Sequence, residues 1–305
     1  MSFNDDVTLD TSQVRSGGGG RRGGRGGLVV GGGVGGLIIT IILVVLGVDP
    51  SSLPTGGYDP GQVQAGGATD EDAFERCETG ADANADVECR VIGTVNSVQA
   101  FWDAELPRYG REWQPTQTVL YQGSTQSACG TASNRVGPFY CPLDELVYID
   151  ADFFAILTQQ FGADDGALAQ EYVVAHEYGH ALQDQLGLLG RAQQDPQGAE
   201  SGAVRVELMA DCLAGIWAQH ASEVPDEDTG VPFLKELTQD DIDSALSAAS
   251  AVGDDRIQEA ATGRVTPESW THGSAEARQQ WFTTGLRSGD LNRCDTFAVD
   301  SVYAD

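Results

Sequence analysis

From residue 28 to residue 48 the chain carries no charged side chain: Leu28 to Val48 is Leu, Val, Ile and Gly with one Thr. Twenty-one residues rising ~1.5 Å each span roughly 31 Å, the depth of a bilayer's hydrocarbon core, so this run predicts a transmembrane helix. Ahead of it, residues 1–27 are polar with a Gly/Arg run and predict a disordered tail. Arginines on that flank alone place the tail in the cytoplasm and the rest outside. The overlapping pairs Gly31/Gly35 and Gly32/Gly36 make G-x-x-x-G patterns that could pack two such helices into a homodimer. Residues 49–69, rich in Pro, Gly, Ser and Thr, read as a flexible linker. Residues 70–305 then show the periodicities of a folded domain.

Within that domain Phe74, Val91, Val95, Val98, Phe101, Trp102 and Leu106 recur at helical spacing over 70–105. Over 116–150 the pattern changes to β-branched and aromatic runs, Thr118 to Tyr121 and Leu146 to Ile149, separated by Gly, Ser and Asn. Helical spacing returns at 152–161, 166–186, 200–220 and 254–261, with polar loops at 188–198 and 223–232. Gly187 is a C-cap for the second of these helices. Thr238, with Asp241 three residues on, opens a further helix. The fold class is therefore α+β and mainly helical, with a small β-sheet, behind one N-terminal transmembrane helix.

The helical run at 166–186 contains His176-Glu177-Tyr178-Gly179-His180, an H-E-x-x-H motif in a stretch whose only charge from Val173 to Leu182 is Glu177. Positions i and i+4 lie about 40° apart around a helix, so both imidazoles leave one face and suit a single Zn²⁺ per chain. Glu177 lies about 100° round from His176 and is placed to take a proton from water as a general base. The bland alternative is an amphipathic helix with two surface histidines. The apolar flanks Val173, Val174, Ala181 and Leu182 argue against it, because burying Glu and His without a use is costly.

A second acidic pattern, Glu207 to Asp211, begins 27 residues after His180 among Val206, Leu208, Met209 and Ala210. Glu207 is the candidate third ligand, leaving one position open as a catalytic zinc requires. Asp211 is placed to accept the other ring N–H of a ligand histidine. His220 is read as a surface residue, too far along the helix to reach the metal.

Several separated runs resemble the bacterial neutral zinc metallopeptidase (YpfJ-like) family, with its gluzincin-type H-E-x-x-H and E-x-x-x-D helices. They are Ser127 to Gly130, Gly137 to Pro142, Val147 to Asp150, Glu207 to Gly215, and Thr271-His272-Gly273-Ser274 with Arg278, Trp281 and Phe282. The resemblance implies a zincin-like peptidase domain acting on peptide or protein substrates. It also makes Leu146 to Ile149 the candidate for an edge strand pairing with substrate backbone, with a plain core strand as the alternative. His272 lies in a family motif and is a candidate catalytic donor to the developing oxyanion; Arg278 is read as a structural ion pair.

Composition sharpens this picture. The net charge is −29, and beyond the apolar run 43 acids face 13 bases, since three acids and four arginines lie in the first 27 residues. Such a surface repels nucleic acid. Six cysteines (Cys77, Cys89, Cys129, Cys141, Cys212 and Cys294) in an extracytoplasmic domain suggest disulfides, with 15 connectivities open. Local spacing favours Cys77–Cys89 and Cys129–Cys141, which leaves Cys212–Cys294. The reading is a single-pass cell-membrane protein whose outer domain is a zinc peptidase. A non-catalytic zinc module that binds partners at the envelope, or a zinc hydrolase of a non-peptide amide, are the alternatives.

Overall fold

A computed structural model describes residues 1–17, 73–133 and 136–303. Strand β1 (Val14–Gly17) is followed by helices α1 (Gly80–Ala85) and α2 (Val87–Glu105). Five strands come next: β2 (Thr118–Tyr121), β3 (Ser124–Ser127), β4 (Gly130–Ser133), β5 (Phe139–Cys141) and β6 (Leu146–Asp150). Helices complete the chain: α3 (Phe153–Gln159), α4 (Ala167–Gln185), α5 (Gly190–Gln194), α6 (Gly202–His220), α7 (Gln239–Ala251), α8 (Asp254–Thr262) and α9 (Ala275–Ser288). The expected mainly helical α+β character is observed.

Four strands form one sheet in the order β1-β2-β6-β5, parallel except for the antiparallel β5–β6 pair. The period-2 alternation of strands sorts its side chains onto two faces. Leu120, Tyr140, Val147 and Ile149 join the main core with the helices. Val119, Tyr121, Phe139 and Tyr148 form a second apolar cluster with Ala132 and Val136. Both faces are covered, which explains why β2 is buried at every position.

Helix α4 lies in the middle, packed against α2, α6, α7, β5 and β6. Every residue from Leu168 to Gln183 is buried, which is why apolar residues dominate it and its carboxylates are only Glu171 and Glu177. Gly187, with φ 73°, ends it as expected. Thr238 and Asp241 form the expected capping box at the start of α7. The three disulfides are Cys77–Cys89, Cys129–Cys141 and Cys212–Cys294, as spacing favoured.

Three expectations need correction. Residues 1–17 are not a disordered tail: β1 adds to the sheet, and Phe3, Val7 and Leu9 are buried in the main core. Composition misled because the apolar residues here are few and widely spaced. Leu146 to Ile149 is a core strand and not an edge strand: β6 lies between β2 and β5, and among the described residues β1 and β5 are the edges. The loop at 188–198 contains the short helix α5, which packs on α6. The expected transmembrane helix at 28–48 and linker at 49–69 lie outside the described residues. Among the described residues, no helix is long and apolar enough to cross a membrane.

Candidate active site

Helices α4 and α6 pack closely enough that an added Cβ at Gly179 would stand 3.1 Å from the Ala210 backbone. That approach brings the two motifs together. His176 Nε2 lies 3.3 Å from Glu207 Oε2, and His180 Nε2 lies 3.5 Å from Glu207 Oε1. Donors held about 2.0–2.1 Å from one tetrahedral ion sit roughly 3.3–3.4 Å apart; each imidazole stands near that distance from one oxygen of Glu207, and the three donors lie within 4.8 Å of one another. All three residues are buried, and His180 Nε2 has no hydrogen-bond partner, as a nitrogen reserved for a cation should not. Zinc therefore fits this donor set. Among the described residues, no fourth His, Cys, Asp or Glu belongs to the cluster.

Each imidazole is oriented through its other nitrogen. His176 Nδ1 is 2.8 Å from Asp211 Oδ1, the place expected for Asp211. His180 Nδ1 is 2.8 Å from Gln183 Oε1, and Gln183 in turn donates to the Val206 carbonyl at 2.7 Å. Both contacts leave Nε2 facing Glu207. Arg278 does more than a structural ion pair: it grips Asp211 with Nε at 2.9 Å and Nη2 at 2.8 Å. The Tyr172 hydroxyl donates to the same carboxylate.

The electrostatics follow from this packing. Burial opposes ionisation of Glu207, but the imidazoles of His272, His180 and His176 hold it well below the usual carboxylate range. Burial likewise opposes charge on Asp211, and Arg278 with His176 outweighs it. Burial works against protonation of His176, yet Asp211 and Glu207 raise it to about 9. Glu177 goes the other way. Burial pushes its carboxyl up, despite the two histidines and the backbone N–H of Tyr140 on β5, which donates to it. Its Oε2 is buried without a partner.

His272 stands outside the donor cluster but borders the same cleft as His176, Glu177 and Glu207. Its Nδ1 is 2.9 Å from Thr271 Oγ1, and its Nε2 is buried without a partner. Asp254, in the first turn of α8, fixes this loop: its Oδ2 accepts the backbone N–H groups of Thr271, His272 and Gly273 at 2.7, 2.7 and 3.0 Å. The rest of the cleft is mostly apolar, with Phe153, Phe161, Val173, Val252 and Ile257 on its walls. His220 is remote from the site, stacked on Phe101 and paired with Glu223.

Gln183, Tyr172 and Asp254 were missed by sequence reasoning. Gln183 had a signal, since it follows His180 by three residues on one helix. Tyr172 and Asp254 act across elements and had none.

A buried cluster of two histidines and one glutamate, beside a second buried carboxylate, is a donor set that could hold a metal ion. The chain belongs to the family described as "Putative neutral zinc metallopeptidase", whose model matches residues 5–297. It is 56% identical over 226 residues to the uncharacterized protein Rv2575 of Mycobacterium tuberculosis, covering 74% of this chain and 76% of that one. It is 40% identical over 201 residues to the uncharacterized protein YpfJ of Escherichia coli K12, covering 64% of this chain and 66% of that one. No solved structure matches the chain.

Proposed function

We propose that the protein is a zinc-dependent peptidase that binds one ion per chain through His176, His180 and Glu207. The reading is carried by three buried donors within 4.8 Å of one another beside the partnerless Oε2 of Glu177. A zinc ion bound there supplies Lewis acidity, polarising a carbonyl and acidifying water. Glu177 takes the proton from the attacking water and passes it to the leaving amine. A base raised by burial is suited to both transfers near neutral pH. His272 Nε2 donates to the developing oxyanion; burial works against its proton, and Glu207 and Asp254 outweigh that effect.

Two features support a peptide as substrate. β5, an edge strand among the described residues, borders α4, and backbone groups along that edge would pair with an extended chain, which reads backbone without reading sequence. The walls formed by Phe153, Phe161, Val173, Val252 and Ile257 suit an apolar side chain next to the cleaved bond.

The test compares Glu177→Gln with Glu207→Gln, measuring bound zinc beside hydrolysis of a broad peptide set. Glu177→Gln should keep about one zinc per chain and lose ~10²–10⁴ in turnover. Glu207→Gln should lose zinc affinity itself. Equal zinc loss in both, or full activity in Glu177→Gln, would sink the assignment of roles. If the unaltered protein holds zinc and cleaves no peptide, a non-catalytic zinc module or a hydrolase of a non-peptide amide replaces this reading.

A further inference from the structure

The first 17 residues fill a groove that the rest of the domain shapes for them. An added Cβ at Gly80 would stand 1.9 Å from the Asn4 carbonyl oxygen, and one at Gly93 would stand 2.6 Å from the Phe3 ring. These glycines leave the space that the segment occupies. Asn84 grips the Phe3 backbone from both sides, accepting from its N–H at 2.9 Å and donating to its carbonyl at 3.0 Å. Asn96 does the same at Asp10, with both bonds at 2.9 Å. A side-chain amide that reads both backbone groups of one residue fixes register, and the half-buried Asn84 with the buried Asn96 fix it twice. Beyond them β1 pairs with β2 residue for residue from Val14↔Thr118 to Gly17↔Tyr121. Without the segment, β2 would present a bare edge beside an apolar trough.

We propose that this groove is occupied by the chain's own residues 1–17, which therefore lie on the same side of any membrane as residues 73–303. One crossing by the apolar run 28–48 would strand β1 opposite the groove that fits it. The family match begins at residue 5, inside the segment, which agrees with its being part of the domain.

The test uses the full chain in intact cells, with reporter thiols on exposed residues. Asp6→Cys marks the segment and Val265→Cys, 44% exposed, marks the domain. All native cysteines are in disulfides, so each new thiol stands alone. A membrane-impermeant maleimide should label the two positions to equal extent, before and after lysis alike. A second variant carries Thr8→Cys with Thr79→Cys, which face each other in an antiparallel bridge. The flanking bonds Leu9 N–H to Glu78 and Gly80 N–H to Val7 make this a non-hydrogen-bonded pair, close enough for a disulfide. It should oxidise within one chain, so that cleavage at Arg21 to Arg25 leaves the two fragments joined until reduction. Protection of Asp6→Cys alone until lysis overturns the proposal. So does a Thr8–Thr79 disulfide that joins two different chains. Neither readout depends on zinc, so failure here leaves the peptidase reading untouched.

Discussion

Asp211 meets three buried partners: the ring of His176, the guanidinium of Arg278 and the hydroxyl of Tyr172. Asp211→Asn should therefore move two quantities. Zinc affinity should fall 10–100-fold, the usual effect of losing a carboxylate behind a ligand histidine. Stability should fall by about 3–5 kcal/mol, because Arg278, 3% exposed, is left without a counter-charge. Calorimetric zinc titration below the melting range separates the two; unchanged affinity there would mean that Asp211 only supports the fold. His272→Ala should leave zinc content intact and lower turnover, since His272 is outside the donor cluster. Asp150 is a residue with no place in the chemistry. It is fully buried, its Oδ1 accepts from Asp152 N–H at 3.0 Å, and its Oδ2 has no partner. Burial raises its pKa above the ordinary carboxylate value. The folded state thus holds the proton more tightly than the unfolded one, and stability is lost as pH rises from the ordinary value near ~3.9 through the raised folded value. Asp150→Asn escapes that loss, so its melting temperature should exceed the parent's at pH 7 and converge on it below about pH 4. At this scale the sequence disclosed the cluster of His176, His180 and Glu207, and Asp211 beside it, because each sits at helical spacing in an apolar run. Tyr172 and Asp254 stayed hidden because their partners are 39 and 17 or more residues away.

Helices were legible from period and caps, and boundaries at 167–185 and 202–220 fall within two residues of those expected. Strand order was not legible, because pairing depends on contacts across the chain and not on local pattern. That is why β6 was read as an edge when β5 fills that place. Close helix crossings were equally hidden. An added Cβ at Gly285 in α9 would stand 1.9 Å from the Cys212 carbonyl oxygen, and one at Gly215 would stand 2.1 Å from that of Phe282. In an isolated helix Gly285→Ala should gain about 1 kcal/mol of propensity. Here overpacking should cost about 3 kcal/mol and win, since backbone cannot rotate away. A net drop in melting temperature of several degrees is expected. A rise would show that α6 and α9 have room to spare.

On the scale of the molecule, the Cys212–Cys294 disulfide closes 82 residues and ties α6, which carries Glu207, to the segment after α9. A loop of that length corresponds to about 4–5 kcal/mol of unfolded-state entropy. Cys212→Ala with Cys294→Ala should lower the melting temperature by roughly 10 °C or more, measured by a thermal scan against the parent. The strand that completes the sheet also sets the order of events during synthesis. Asn4 bonds to the Leu234 carbonyl across 230 residues, so the first segment made is among the last to find its place. A ribosome adding ~5–20 residues per second needs on the order of 10–50 seconds to supply that partner. β1 has no strand to join until Thr118 to Tyr121 has been made, and Asn4 lacks its last partner until Leu234 follows. Newly made chains should therefore depend on whatever shields an early, sticky peptide far more than the finished protein does.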